Sequence, residues 1–86
     1  MAHTVHHKTK LRERVRRIIG QAQAVERALD AEAECVEVLR LIASCRGAMS
    51  SLMAEVLVEH IREHGLAEAT DPDAAEIAEI VRAYLK

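Results

Sequence analysis

A run of about thirty residues, from Glu34 to His64, sets the main constraint on the fold, because it is apolar around most of its circumference when drawn as a helix. At about 1.5 Å per residue such a helix is about 45 Å long, which is long for so short a chain. One partner helix cannot cover so wide an apolar surface, so either other helices of the chain share it or a second chain does. Its polar side is a narrow stripe of Glu37, Arg40, Ser44, Ser51, Glu55, Glu59 and Arg62.

A further helix is predicted on each side of this long one. Apolar residues recur at helical spacing over residues 8–29, and Asp71 and Pro72 suit the N-cap and the first turn of a third helix. The segment LDAEAE between the first two helices is short, so they are expected to pack as an antiparallel hairpin. Gly65 is a natural end for the second helix.

The composition agrees with a helical bundle, since Ala, Leu, Val, Glu and Arg dominate and the chain has only three Gly and one Pro. We expect a single all-α domain over residues 1–86, a three-helix protomer with a long central helix and a mobile arm over residues 1–8. The N-terminus lacks the apolar core of a secretion signal, and Arg40, Arg46 and Glu55 interrupt the longest apolar run. A cytoplasmic protein without a membrane segment, its two cysteines kept as thiols, is therefore expected.

Positive charge is concentrated in the first 19 residues, although the net charge is −2. This segment holds six basic residues and one acidic residue, a balance of +5, so the remainder carries −7. On a helical wheel the basic residues fall in two stripes beside the apolar face, and such stripes can follow phosphates. No aromatic residue lies nearby to stack on unpaired bases, so duplex DNA is favoured, with a solvated helix end as the alternative. One stripe contains Lys10, Arg14, Arg17 and Gln21, and the other Arg12, Arg16, Gln23 and Arg27.

Two histidines four residues apart, His60 and His64, end the long helix and can chelate one cation. The alternative is a pair of solvated histidines that complement the helix dipole. Cys35 lies on the same helical face, but 25 residues separate it from His60, a distance of about 37 Å along a straight helix. These side chains can meet only if two copies of the helix cross with opposite direction, near residues 48–49. The sequence there is RGAMSS, whose small side chains allow close approach, so an antiparallel dimer with two equivalent sites is predicted.

A thiolate with two imidazoles suits Zn, Co, Ni or Cu. His3 on the N-terminal arm could add a ligand, as could the amine of Ala2, while Glu34 and Glu63 adjoin the ligands. Four other residues have separate expectations. Cys45 is expected to fill the core. His6 and His7 are expected to be exposed arm residues, with an ancillary role at the site as the alternative. Arg46, which lies on the ligand face, is expected to pair with a carboxylate or to reach the surface.

Four features together resemble the CsoR/RcnR/FrmR family of small bacterial transcriptional repressors over nearly the whole chain. They are RVRRIIGQAQAVERAL, the isolated Cys35, IASCRGAMSSLMAEVL and HIREH. The resemblance implies a dimer of dimers of three-helix protomers that releases operator DNA when an effector occupies a site between subunits. It also implies DNA binding by basic residues of the first helix, here Lys10, Arg14, Arg16 and Arg17, and Arg46 resembles a position linked to the same role.

The effector positions resemble those of the nickel- and cobalt-responsive RcnR and DmeR type, with His3, Cys35, His60 and His64 present. Copper-sensing relatives carry a second cysteine in place of His64, so copper is not expected as the effector. Zinc is a possible effector beside nickel and cobalt. A formaldehyde-responsive repressor of the FrmR type is the alternative, in which Cys35 becomes bridged to the amine of residue 2. Those relatives have Pro there, whereas this chain has Ala2, and they lack His64. The closing VRAYLK and the body of the sequence nevertheless resemble the FrmR branch closely.

Other classes of protein make different demands on the same residues. A metal buffer that never touches DNA would use the Cys and His ligands but has no need of a basic first helix. A purely structural helical dimer would leave the alignment of Cys35 with the histidines to chance. An enzyme is not expected, because no set of nucleophile, base and orienting residue is visible within one chain.

Overall fold

The computed structural model describes residues 7–64 and 71–85. Within these ranges the chain forms three helices and no strand: α1 (Lys8–Asp30), α2 (Cys35–His64) and α3 (Ala74–Tyr84). The predicted all-α fold with a long central helix is confirmed, and the first two helices lie within a residue of their predicted bounds. The predictions about residues 1–6 and Gly65 fall outside the described residues, while Lys8, assigned to the arm, already belongs to α1.

The turn between α1 and α2 places a glutamate in an unusual backbone conformation. The amide of Ala33 donates to the Ala28 carbonyl (2.9 Å) and that of Glu32 to the Leu29 carbonyl (3.1 Å). This pair of bonds is a Schellman motif, which satisfies the last carbonyls of α1. Glu32 occupies its left-handed position with φ of 55°, where glycine is the usual residue. Local hydrogen bonds therefore close the hairpin despite an unfavourable residue.

Helices α1 and α2 pack as the antiparallel hairpin that the short connection predicts. The amide nitrogen Nε2 of Gln21 donates to Ser44 Oγ (3.1 Å), and Cys45 Sγ lies 4.0 Å from the carbonyl oxygen of Ile18. Cys45 thus faces α1, as expected for a residue that fills the interior of the hairpin. This packing sets the beginning of α1 beside the end of α2.

The third helix begins later than the sequence suggested. It starts at Ala74 with Asp73 at the N-cap, so the assignment of Asp71 as the N-cap is wrong. The carboxylate Oδ1 of Asp71 accepts the amide hydrogen of Asp73 (3.0 Å), and its carbonyl accepts that of Ala74 (3.1 Å). Asp71 therefore caps the turn that precedes the helix. At the other end of α3, the Tyr84 hydroxyl donates to Ser50 Oγ of α2.

The protomer is a single layer of helices. Its extents are 52 × 30 × 12 Å, and the smallest equals roughly the 10–12 Å diameter of one helix. Its radius of gyration of 16.4 Å exceeds the roughly 12 Å expected for a compact chain of this length. No hydrophobic side chain in the described ranges is buried, and large apolar residues such as Met49 and Ile42 are about half exposed. The described part of the protomer therefore leaves a large apolar surface uncovered.

Helix α2 is long and apolar enough to cross a bilayer by length and composition alone. Arg40, Arg46 and Glu55 were expected to interrupt the apolar run, but α2 meets this criterion despite them. The central helix of a soluble bundle meets the same criterion, because it too is surrounded by apolar partners. The exposed apolar surface of α2 therefore requires a covering partner without identifying it.

Candidate functional site

The two histidines at the end of α2 lie against each other. The ring centroids of His60 and His64 are 4.6 Å apart, with the planes tilted by 36°. His60 also contacts the turn before α3, since its Nε2 lies 2.6 Å from Oδ2 of Asp71. Both partners are largely removed from solvent, with side-chain exposures of 13% for His60 and 5% for Asp71. The two histidines predicted to chelate a cation thus lie together in the protomer, and the ring of His60 contacts a carboxylate.

The charge of Asp71 determines which partner donates the hydrogen in this contact. Burial raises the pKa of the Asp71 carboxyl, but the hydrogen bonds from His60 and the Asp73 amide, with the charges of His60 and His64, outweigh burial and leave the pKa below its ordinary value. Asp71 is therefore a carboxylate at neutral pH and can only accept a hydrogen bond. The Nε2 of His60 therefore donates the hydrogen in this contact, which leaves Nδ1 as the ring nitrogen that can bind a metal.

Cys35 occupies the opposite end of α2. It is the first residue of the helix and its thiol is exposed, about 37 Å from His60 at the helical rise. Within residues 7–64 and 71–85 no group of three or more His, Cys, Asp or Glu residues could hold a metal ion. Within one protomer Cys35 is therefore far from His60 and His64, although all three lie on one helical face. The predicted site, which takes its ligands from two chains, requires this separation.

Of the four remaining candidate ligands, two lie within the described residues. Glu34, directly before α2, is exposed at the Cys35 end, and Glu63 is exposed beside His64. His3 and Ala2 lie outside the described residues. The effector site thus stays a prediction that the protomer neither completes nor contradicts.

One contact that the sequence did not predict joins the beginning of α1 to the end of α2. The Nε2 of His7 lies 3.1 Å from Oε2 of Glu59, and the same oxygen lies 3.4 Å from Nη1 of Arg62. His7 was expected to be a simple exposed arm residue, and its side chain is indeed 43% exposed, but it has a partner on α2. Glu59 was predicted only to belong to the polar stripe of α2. Helical spacing relates residues three or four positions apart, so it could not predict a contact with His7, which is 52 positions away.

The basic residues of α1 form a surface without acidic partners. In the described part of the chain, no carboxylate makes an ion pair with any of the four predicted DNA contacts, which are Lys10, Arg14, Arg16 and Arg17. Arg14 and Arg17 border a cavity of about 120 Å³ together with Gln21, whose Oε1 is buried without a hydrogen-bond partner in the same ranges. The positive charge of α1 is thus available to an anionic partner.

An apolar groove of about 540 Å³ runs between α2 and α3. A second cavity of about 340 Å³ lies between α1 and α2, and Arg46 and Met49 border both, so the two adjoin at the middle of α2. Arg46 was expected either to pair with a carboxylate or to reach the surface. In the protomer its side chain is exposed and makes no ion pair within the described residues, so it reaches the surface. The groove is lined by Arg46, Met49, Ser50, Leu52, Met53, Val56, Leu57, His60, Ile77 and Tyr84.

Comparison with known proteins gives a consistent set of relatives. Residues 7–86 match the family model described as metal-sensitive transcriptional repressor. An uncharacterized protein in the bioA 5′ region of Serratia marcescens is 47% identical, and the transcriptional repressor RcnR of Citrobacter koseri is 37% identical, both over the full length of each chain. Among solved structures, a glutamate-to-histidine variant of the formaldehyde-responsive regulator FrmR from Salmonella enterica serovar Typhimurium is 40% identical, with a TM-score of 0.76 over 92% of this chain and 94% of that one.

Proposed function

This chain belongs to the family of metal-sensitive transcriptional repressors, which are not enzymes, and from that membership we propose that it binds operator DNA in its metal-free form and releases it on binding Ni(II) or Co(II). The effector site is built from two protomers. The repressor acts in the cytoplasm, where its thiols stay reduced, and it assembles as a homotetramer.

The observation that carries this proposal is the imidazole pair of His60 and His64, at one end of a helix whose other end bears the Cys35 thiol. Asp71 contacts the ring of His60. A ligating histidine is commonly fixed by a carboxylate on its second nitrogen, which sets the tautomer and the orientation of the ring. Two imidazoles and a thiolate suit divalent Ni, Co or Zn. A bound ion would supply the effector signal, and His60, His64 and the partner's Cys35 would hold it, with His3 as a further ligand.

The second protomer completes the site by symmetry. An antiparallel pair of α2 helices crossing near residues 48–49 brings the partner's Cys35 to His60 and His64, and produces two equivalent sites. The exposed apolar surface of the helical layer, with Met49 and Ile42 on it, supplies the area that such a pair would bury. Because a single layer has two faces, the partner protomer can cover one face and a second dimer the other, giving a dimer of dimers.

Operator DNA is bound by the basic surface of α1. Lys10, Arg14, Arg16 and Arg17 have no acidic partners among the described residues, so their charges can neutralise phosphates. Binding of this kind releases counterions and weakens steeply with salt. Arg46, at the middle of α2, is a further candidate for the same role.

The proximity of the two sites explains how one could influence the other. The beginning of α1, which carries the basic surface, lies beside the end of α2 that carries the histidines. An effector can release DNA only if it binds the free repressor more tightly than the DNA-bound repressor. A difference of about 1–3 kcal/mol is the usual scale of such coupling.

A formaldehyde-responsive repressor is the second candidate, supported by the 40% identity to FrmR and by the exposed Cys35 thiol. Here the thiol sulfur and the amine of Ala2 would both bond to the formaldehyde carbon, and water would leave. His64 argues for a metal instead. The resemblance described above implies that formaldehyde-responsive relatives lack this histidine, and the solved FrmR structure is of a variant in which a histidine replaces a glutamate.

A gel-shift titration separates the candidates. The metal proposal expects the full-length protein to retard promoter DNA and to release it on addition of Ni(II) or Co(II), with no release by formaldehyde. Release by formaldehyde alone would replace the lead with the second candidate. Metal binding without any retardation of DNA would indicate a metal buffer.

A further inference from the structure

We propose that Gln21 is a positioning residue for the DNA-binding surface, and that its buried carbonyl oxygen holds the guanidinium of Arg17 in place for a phosphate. This inference rests on the operator binding proposed above. It adds a polar side chain that acts through an arginine and does not touch the DNA itself.

The side chain of Gln21 is fixed where α1 packs on α2. Its Nε2 donates to Ser44 Oγ on α2 (3.1 Å), and this hydrogen bond sets the direction in which the carboxamide points. The carbonyl oxygen of the same group, Oε1, is buried and has no hydrogen-bond partner within residues 7–64 and 71–85. A buried acceptor without a partner is unfavourable, because it has lost its hydrogen bonds to water. Gln21 therefore presents an acceptor at a fixed position, and this acceptor requires a donor.

The cavity beside Gln21 is bordered by suitable donors. Its volume is about 120 Å³, and the described residues that line it are Arg14, Arg17, Ile18, Gln21 and Ala48. Since the side chains of Ile18 and Ala48 are apolar, the donors that these residues offer to Oε1 are the two guanidinium groups. Arg17 is one helical turn from Gln21, a spacing that brings two side chains together, whereas Arg14 is two turns away. Arg17 is therefore the arginine that Oε1 holds.

The chemistry of the phosphate places the arginine between Gln21 and the DNA. The charged oxygens of a phosphodiester only accept hydrogen bonds, so they cannot satisfy Oε1, which is also an acceptor. A guanidinium has five N–H donors and no acceptor, so one donor can go to Oε1 while others go to a phosphate. An arginine that is already held in this way loses less conformational freedom when DNA binds. Gln21 therefore strengthens a phosphate contact that it does not make.

Two other interpretations of Gln21 predict different results. Water in the cavity, which is large enough to hold it, would satisfy Oε1 without an arginine, and DNA affinity would then not depend on Gln21. A carboxamide that contacted the DNA directly would contribute to affinity whether or not Arg17 is present. The effect of replacing Gln21, measured with and without Arg17, separates these interpretations from the proposal.

The test is a double-mutant cycle of Gln21→Met and Arg17→Ala, since methionine keeps the length of the side chain and removes both polar groups. Full-length protein is titrated against a duplex from the region upstream of its own gene at several salt concentrations. We expect Gln21→Met to weaken DNA binding about tenfold with an unchanged salt slope, because no phosphate contact is removed. Arg17→Ala should make the slope less steep by about one. Adding Gln21→Met to Arg17→Ala should cause no further loss of affinity.

Gln23→Met is the matched control, because Gln23 is an exposed glutamine of the same helix. Its effect on DNA affinity should be small and the same in the presence and absence of Arg17. Ser44→Ala frees the carboxamide without any change in α1, so it should give a loss in the same direction that disappears without Arg17. Circular dichroism and gel filtration of the free proteins check that every variant keeps the helical content and assembly of the wild type.

A second readout follows the arginine directly. In the complex with the duplex, the NMR signal of the Arg17 Nε–H group should shift in Gln21→Met and stay in place in Gln23→Met. Wild-type DNA affinity in Gln21→Met would overturn the inference and leave the proposed function intact. Equal losses with and without Arg17 would also overturn it, since Gln21 would then act on the DNA or the fold by itself. Failure of the wild type to bind duplex DNA even at low salt would remove the proposed operator binding, and this inference with it.

Discussion

The Nε2 of His60 lies 2.6 Å from Oδ2 of Asp71, and this contact joins the last turns of α2 to the turn that begins α3. The other carboxylate oxygen of Asp71 accepts the amide hydrogen of Asp73. One aspartate therefore orients the imidazole and also closes the turn before α3. The position of His60 is thereby linked through Asp71 to the start of α3.

Replacing Asp71 by alanine is expected to weaken metal binding. The His60 ring loses the acceptor that fixes its tautomer, so Co(II) affinity should fall about 10- to 100-fold, as measured by chelator competition. Asp73→Ala is the matched control, because the Asp73 side chain makes no cap hydrogen bond. Equal affinities in the two variants would show that the carboxylate does not act on the site.

Cys35→Ala is expected to give a repressor that binds DNA but no longer responds. The thiol lies at the end of α2 opposite to His60 and is exposed in the protomer, so its loss should leave the fold intact. The measurement is a gel shift with and without Ni(II) or Co(II). Cys45→Ala removes the other thiol, which faces α1, and should keep the response; normal release from Cys35→Ala would exclude this thiol as a ligand.

Arg14→Ala is expected to weaken operator binding while the free protein keeps its metal affinity. If Arg14 contacts one phosphate, the slope of log affinity against log salt should become less steep by about one. Arg82→Ala removes an exposed arginine from α3 and serves as the control. An unaltered salt slope for Arg14→Ala would place the DNA contacts elsewhere.

Glu32→Gly is expected to stabilise the protein. A non-glycine residue in the left-handed region costs roughly 1–2 kcal/mol, while the greater freedom of glycine in the unfolded chain takes back roughly 0.5–1 kcal/mol. The free energy of unfolding per protomer should therefore rise by about 0.5–1 kcal/mol, measured by chemical denaturation at a fixed protein concentration. Glu34→Gly lies outside the left-handed position and should not stabilise; a loss of stability in Glu32→Gly would contradict the role assigned to this turn.

The fold was predictable from the sequence where the information is local. Hydrophobic spacing located α1 and α2, and the short connection between them fixed their antiparallel packing. The start of α3 was predicted wrongly because Asp71 suits a helix N-cap, whereas it caps the turn before α3 and contacts His60. The contact with His60 depends on how α3 folds back against α2. The left-handed Glu32 was missed because glutamate carries no signal for that conformation.

The candidate site was predictable only in part for a related reason. Helical geometry placed Cys35, His60 and His64 on one face and showed that they cannot meet within a protomer. The contact of Glu59 with His7 pairs residues that are 52 positions apart in sequence. Only the packing of α1 on α2 brings them together, so no sequence pattern marks it.

The central claim is that Cys35 of one protomer meets the histidines of another, and complementation between two inactive variants tests it most directly. Neither Cys35→Ala nor a His60→Ala/His64→Ala double variant should show the thiolate-to-cobalt absorption when loaded alone. After unfolding and refolding together in equal amounts, half of the dimers contain one intact site, so about a quarter of the wild-type absorption should return. Mixed dimers that show no such absorption would contradict the claim.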